Sequence, residues 1–240
     1  MAIQAPPSAV GRLDPELLTV PAGTTLWRVQ LDRFPALFNS KPVVEPFGGG
    51  RFDSNQLNRY PFCYLAYEQD TALCERLLRS FPFSDQGTDR LLPHSAVAGR
   101  TLRAVHTTAD LALLSLRSTR ALAKVYADEW LVQADPLDYP YTRGWAHWLR
   151  PRALDADGFV WPSRRNLGSV AVILFGDRCQ TAVDWHPDEP VIDLDGADGL
   201  KALNQRLAPY RLTVAPQQAV PGRLRRLLPS LRSGPPGPGR

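Results

Sequence analysis

The sequence reads as a single α+β domain. Three observations predict this. The chain has 240 residues, 44% of them hydrophobic, enough for one well-buried core. Short strand-like runs, such as residues 24–30 and 170–175, are interspersed with stretches of helical periodicity. The two kinds of segment follow no regular strand–helix–strand succession, so a parallel α/β sheet is not expected.

Taken in order, residues 1–21 carry Pro6, Pro7, Pro15 and Pro21 around an apolar piece at 13–18, and read as an arm leading into the folded body at 22–215. Residues 24–30 alternate and carry Leu26, Trp27 and Val29, a strand that puts Arg28 on the same side as Leu26. An inward arginine calls for an anionic partner, either an acid of the core or a ligand. Gly48-Gly49-Gly50 is a loop with access to positive φ, and Arg51-Phe52 follows it directly. A second strand is expected at 62–67, with Tyr64 on the face of Phe62 and Ala66. Asp70 and Thr71 suit the cap of a helix running to about residue 80, striped by Leu73, Leu77 and Leu78 and carrying Glu75 one turn in. Further along, 101–105 reads as a strand, 109–116 and 118–132 as helices, 144–149 as a short helix, and 170–175 as a buried strand. Residues 216–240 form a basic, Pro/Gly-rich tail whose last eight residues suit neither helix nor sheet and are expected to be disordered.

Charge and composition narrow the function classes. The net charge is +4, but Arg223, Arg225, Arg226, Arg232 and Arg240 lie in the last twenty residues, and removing those five leaves −1 for residues 1–220. The body therefore offers no general nucleic-acid face, and the core is not expected to bind nucleic acid. Arginine outnumbers lysine 25 to 3, a bias read as genomic rather than functional. Cys63, Cys74 and Cys179 form no CxxC pair and sit in apolar runs, which predicts buried, reduced thiols. The N-terminus shows no signal-peptide pattern and no stretch is long and apolar enough for a span, so a soluble cytoplasmic protein is expected. His94, His106, His147 and His186 are widely separated in the chain, and no metal site is expected. Neither GxGxxG, nor GxxxxGK[ST], nor GxSxG occurs.

Each polar candidate has an ordinary explanation when taken alone. Arg28 fits a core ion pair, Arg51 an exposed turn, Tyr64 core packing, Glu75 an i+4 pair with Arg79, and Ser163 a turn before Arg164-Arg165. Together, two guanidiniums, a phenol, a carboxylate and a hydroxyl suit an anionic, sugar-bearing, aromatic ligand such as a dinucleotide.

In order along the chain, Trp27-Arg28-Val29, Gly49-Gly50-Arg51-Phe52, Tyr64-Leu65-Ala66, Thr71-Ala72-Leu73-Cys74-Glu75 and Gly158-Phe159-Val160-Trp161-Pro162-Ser163-Arg164 resemble the RES-domain family over about residues 22–180. The stretch Tyr141-Thr142-Arg143-Gly144-Trp145-Ala146 is also similar to the segment this family carries ahead of its serine. The resemblance implies a toxin of a bacterial toxin–antitoxin system, with a fold like the diphtheria-type ADP-ribosyltransferases and NAD as substrate. NAD would lose nicotinamide by hydrolysis or phosphorolysis, or else serve to ADP-ribosylate a protein. By position it implies Glu75, Arg28 and Ser163 as catalytic residues. It also implies Arg28, Arg51, Tyr64 and Ser163 as the NAD-binding set, with Ser163 at the nicotinamide end and Tyr64 stacked on nicotinamide or ribose. A helix-turn-helix antitoxin is the implied partner. Trp161 stands where the family usually has tyrosine, keeping an aromatic wall without its hydroxyl. From another class altogether, a noncatalytic nucleotide-binding or DNA-associated module using the basic tail fits the same residues.

Overall fold

Apolar runs with period-two alternation become strands, and in this protein most of them join one mixed sheet. A computed structural model describes residues 3–8, 13–44, 48–78 and 82–217. The strands are β1 (Leu17–Val20), β2 (Thr25–Leu31), β3 (Phe62–Ala66), β4 (Arg90–Leu92), β5 (Arg100–Thr107), β6 (Leu111–Ser115), β7 (Gly158–Pro162), β8 (Val170–Phe175), β9 (Val183–Trp185), β10 (Ile192–Asp193) and β11 (Leu212–Val214). The helices are α1 (Gln69–Leu77), α2 (Thr119–Ala123), α3 (Trp130–Gln133), α4 (Tyr139–Leu149), α5 (Gly176–Cys179) and α6 (Ala197–Leu207). The main sheet runs β1-β6-β7-β8-β3-β2-β5-β10, with β9 also on β5, while β11 and β4 pair separately. Among the described residues only β6–β7 is parallel within the main sheet, so the mixed α+β architecture expected from the sequence holds.

The strands β7 and β8 are buried on both faces, which is why their sequence is nearly continuous in apolar residues. Phe159, Trp161, Ile173 and Phe175 pack toward Trp145 and Leu149 of α4, whereas Val160, Val172 and Leu174 pack on the other face with Leu26 and Leu65. A third cluster sets Leu73 and Leu77 of α1 and Leu203 and Leu207 of α6 with Trp27, Leu102 and Ala104.

One break in this sheet positions everything that follows. Strand β2 pairs with β5 over its whole length but registers with β3 only at Trp27 and Ala66. At the other end of β3, Phe62 exchanges its main-chain hydrogen bonds with Asn39, at 2.8 and 3.0 Å. The two strands therefore part beyond Trp27, and a cleft opens between them.

Several elements differ from the sequence expectation. Residues 109–116, expected as a helix, contain the strand β6: Leu111, Leu113 and Leu114 are buried between two strand partners, and a short leucine-rich run carries no period that separates strand from helix. The expected helix 118–132 is broken into α2 and α3 at Tyr126, whose φ is 60°, with Asp128 Oδ1 accepting the Trp130 N–H at 2.9 Å. Helix α4 starts at Tyr139 rather than 144, because Pro140 is tolerated in its first turn. Helix α1 ends at Leu77, and its start is not capped by Asp70 or Thr71: Glu68 occupies the cap position, and Thr71 turns inward. Strand β1 lies within the segment expected as an arm and pairs with β6. Gln4 is also fastened, its carbonyl accepting the Trp145 indole N–H at 2.7 Å. Most of the tail, from residue 218, lies outside the described residues, as does Arg79. All three cysteines are buried and free, as expected.

Candidate active site

The cleft between β2 and β3 has a volume of about 290 Å3. Arg28 of β2, Arg51 after the glycine loop, Tyr64 of β3, Glu75 and Arg76 of α1, Tyr139 of α4 and Trp161 of β7 line it.

Its cationic side is anchored by main-chain oxygens. One Arg28 nitrogen donates to the Leu37 carbonyl and lies 3.2 Å from Cys63 Sγ. Among the described residues no carboxylate pairs with Arg28, so the core ion pair that the sequence allowed is not what holds it. Arg51 is buried rather than exposed: its Nη1 donates to the Leu131 carbonyl at 2.9 Å and its guanidinium lies 5.1 Å from the Tyr139 ring centroid. Burial pulls its pKa below the usual arginine value, with Tyr139 and Glu75 acting the other way. A guanidinium has five N–H donors, so each arginine keeps donors beyond those the main chain takes.

The glycine loop has a steric reason. Gly49 has φ of 73°, and a Cβ on Gly50 would stand 2.5 Å from Asp53 Oδ1 and 2.6 Å from the Tyr64 hydroxyl. Asp53 Oδ2 accepts the Gly50 N–H at 2.7 Å, and the Tyr64 hydroxyl accepts the Phe52 N–H at 2.8 Å. From behind, the fully buried Arg143 donates Nη1 to the carbonyls of Gly48 and Gly50, at 3.0 and 3.2 Å, and the Thr142 hydroxyl donates to the Arg51 carbonyl at 2.7 Å. Burial, with Asp53 beside it, pushes the Tyr64 phenol well above the usual tyrosine range, so its proton stays on. The Tyr64 ring meets Trp161 edge-on, with centroids 6.1 Å apart.

On the α1 side a carboxylate is held by a hydroxyl. Ser163, completely buried just after β7, donates to Glu75 Oε1 at 2.6 Å and accepts the N–H groups of Arg165 and Asn166 at 3.2 and 2.9 Å. Among the described residues Glu75 Oε2 has no hydrogen-bond partner. The start of α1 is tied to the same β7–β8 turn, since Thr71 Oγ1 bonds Ser169 Oγ at 2.8 Å and receives Asn166 Nδ2 at 2.8 Å. These bonds fix α1, and with it Glu75, against the sheet.

Residues 25–195 match the model of the RES domain. The chain belongs to the RES-domain family. No curated protein matches it significantly. Among solved structures it is similar to a chain of the M. tuberculosis MbcT–MbcA toxin–antitoxin complex, at 18% identity and a TM-score of 0.50, covering 76% of this chain and 90% of that one. At that identity the likeness concerns the fold.

In this RES domain, four of the five residues singled out from sequence, Arg28, Arg51, Tyr64 and Glu75, line one cleft. Ser163 does not; its hydroxyl is spent on Glu75 and on its own turn. Sequence reasoning passed over Arg76, Tyr139 and Asp53. Asp53 stands three residues beyond Gly50, a spacing at which a carboxylate can close a tight loop, and that signal was readable. Arg143 belongs to the motif at 141–146, but its reach to the glycine loop, 93 residues away at Gly50, has no local signal. The rings of His106 and His186, far apart in sequence, meet with centroids 5.4 Å apart. Among the described residues no group of three or more His, Cys, Asp or Glu is placed to hold a metal ion, and no helix is long and apolar enough to cross a membrane.

Proposed function

We propose that this RES-domain protein cleaves the nicotinamide–ribose bond of NAD, acting as the toxin of a toxin–antitoxin pair in the cytoplasm. The observation that carries the reading is Glu75. Its carboxylate is pinned at 2.6 Å by Ser163, keeps Oε2 open, and shares a cleft with two arginines that no carboxylate pairs with among the described residues.

Arg28 and Arg51 hold the pyrophosphate with the N–H donors the main chain leaves them. Tyr64, with Trp161 beside it, forms the aromatic wall for nicotinamide or ribose. When the glycosidic bond breaks, nicotinamide leaves as a neutral ring with the bonding electron pair, and positive charge develops on the ribose. Glu75 Oε2, left open by Ser163, stabilises that charge and accepts from a ribose hydroxyl. Water or phosphate then attacks the anomeric carbon and gives up its proton. Ser163 serves as a positioning residue, acting through Glu75 rather than on nicotinamide.

The gap between β2 and β3, with a glycine loop on its rim, supports a diphtheria-type ADP-ribosyltransferase fold for this sheet. The likeness to a toxin–antitoxin complex supports an antitoxin partner, which we take to be of helix-turn-helix type and to cover the cleft. The deciding experiment is release of nicotinamide from NAD by the purified chain, with and without phosphate and with and without a protein extract. Release without extract that Glu75→Gln abolishes is expected. Release only with extract would move the reading to ADP-ribosylation of a protein, and none under any condition would leave a binding module.

A further inference from the structure

A second recess, sharing no lining residue with the cleft, is bounded by residues 57–60, the end of α4 with the turn after it, and α5. Arg59, Tyr60, His147, Arg150 and Arg178 line it. Like charges gathered in one place are unfavourable unless anions compensate them. Among the described residues the one carboxylate that pairs with these arginines is Asp177, 2.7 Å from Arg150 Nη2. Three guanidiniums face Asp177 and, acting on Arg178 without a direct pair, Asp157, so the recess keeps a net positive charge.

Arg150 is fixed in an unusual way. Its guanidinium carbon lies 3.8 Å from the Tyr60 ring centroid and 4.1 Å from that of Phe175, its side chain is only 11% exposed, and its Nη1 is buried without a hydrogen-bond partner. A buried donor left unmade is unfavourable, and a ligand oxygen would relieve it. Arg178 lies close by, its guanidinium carbon 5.6 Å from the Phe175 ring centroid, and is hydrogen-bonded by main chain: its Nη1 donates to the carbonyls of Ala153 and Ala156, and its Nη2 to that of Arg150 at 2.7 Å. Burial, and next the Arg150 charge, push the Arg178 guanidinium below its usual pKa. Arg59 reaches in from an exposed loop with Gln56 as its partner.

We propose that this recess binds a phosphate-type oxyanion, with Arg150 as the buried donor and Arg59 and Arg178 completing the charge. A tetrahedral oxyanion suits both the net positive charge and the approach of guanidiniums from three separate segments. Inorganic phosphate and the phosphate of a nucleotide monophosphate share this chemistry. The inference does not depend on NAD cleavage, since it is read by binding.

The test is equilibrium dialysis of the full chain against 32P-labelled inorganic phosphate. The expected result is a saturable site that survives Arg28→Ala, which disables the cleft, and is weakened about tenfold by Arg59→Ala, the loss of one charge-assisted contact of about 1.4 kcal/mol. Arg59 is exposed, so that variant leaves the core untouched. Arg150→Gln, with its fold checked by circular dichroism, should remove the site. Competition by AMP at concentrations below those of phosphate would assign the site to nucleotides, and competition by phosphate alone would assign it to the free ion; either result supports the site. Binding lost in Arg28→Ala and unchanged in Arg59→Ala, or no saturable binding at all, overturns it.

Discussion

The cationic side of the cleft and its carboxylate-bearing α1 side are held by different means. On the first, Arg28 and Arg51 are anchored by the carbonyls of Leu37 and Leu131, and the glycine loop by Arg143 and Asp53. Carbonyls orient a guanidinium without neutralising it, so the positive charge stays available for a ligand. On the second side, a buried hydroxyl holds one oxygen of Glu75 and leaves the other open. Under the proposed function, the cationic side serves binding and the anionic side the chemical step.

Four substitutions or conditions sharpen or break that division. Glu75→Gln should leave NAD affinity near that of the native chain in calorimetry while nicotinamide release falls about 10²-fold or more, as on removing one electrostatic stabiliser. Equal losses in affinity and turnover would erase the distinction between the two sides. Ser163→Ala should lower kcat roughly tenfold with KM little changed, about 1.4 kcal/mol of lost positioning. It also leaves two backbone N–H groups unpaired, so Ser163→Thr is the control: recovery of kcat there separates positioning of Glu75 from a general loss of fold. Gly50→Ala strikes the other side, since the new methyl collides with Asp53 and Tyr64. It should raise KM severalfold with kcat nearly kept, at a stability cost of about 1–3 kcal/mol seen as a lower Tm. A fall in kcat alone would contradict the binding role of the loop.

The fourth test acts on stability rather than on the cleft. Burial raises the Cys74 and Cys179 thiols to about 12 and lifts the Tyr64 phenol well above its usual range. In the unfolded chain these groups ionise from about pH 8.5 to 10, while in the fold they keep their protons. The unfolded state therefore binds fewer protons in that range, and stability falls as pH rises through it. Thermal melts should give a Tm lower at pH 10 than at pH 8, and a Tm that stays level would show that these groups gain water access.

Motif order brought Arg28, Arg51, Tyr64 and Glu75 into view because each sits in a short local pattern: an arginine inside an alternating strand, another behind three glycines, a carboxylate on a leucine-striped helix. Ser163 was visible as well, yet its working contact with Glu75 spans 88 residues and follows only once the β7–β8 turn lies against α1. Elements failed to show where local signals are ambiguous. The leucines of β6 carry no period, and the break at Tyr126 depends on a left-handed residue that no glycine announces. Helix α6, with its apolar residues Leu203 and Leu207, was not anticipated although it closes the cluster over β2 and β5.

By itself the sequence determined the mixed α+β class, the buried reduced cysteines and the residues that could bind an anionic, sugar-bearing ligand. Those follow from side-chain chemistry and short-range periodicity. The tertiary structure alone decided that β2 and β3 part beyond Trp27 to open a cleft, that backbone carbonyls rather than acids hold its arginines, and that Ser163 faces Glu75 instead of the cavity. Each of these is a pairing between segments distant in the chain, set by which strand edges and buried donors find partners once the core has packed.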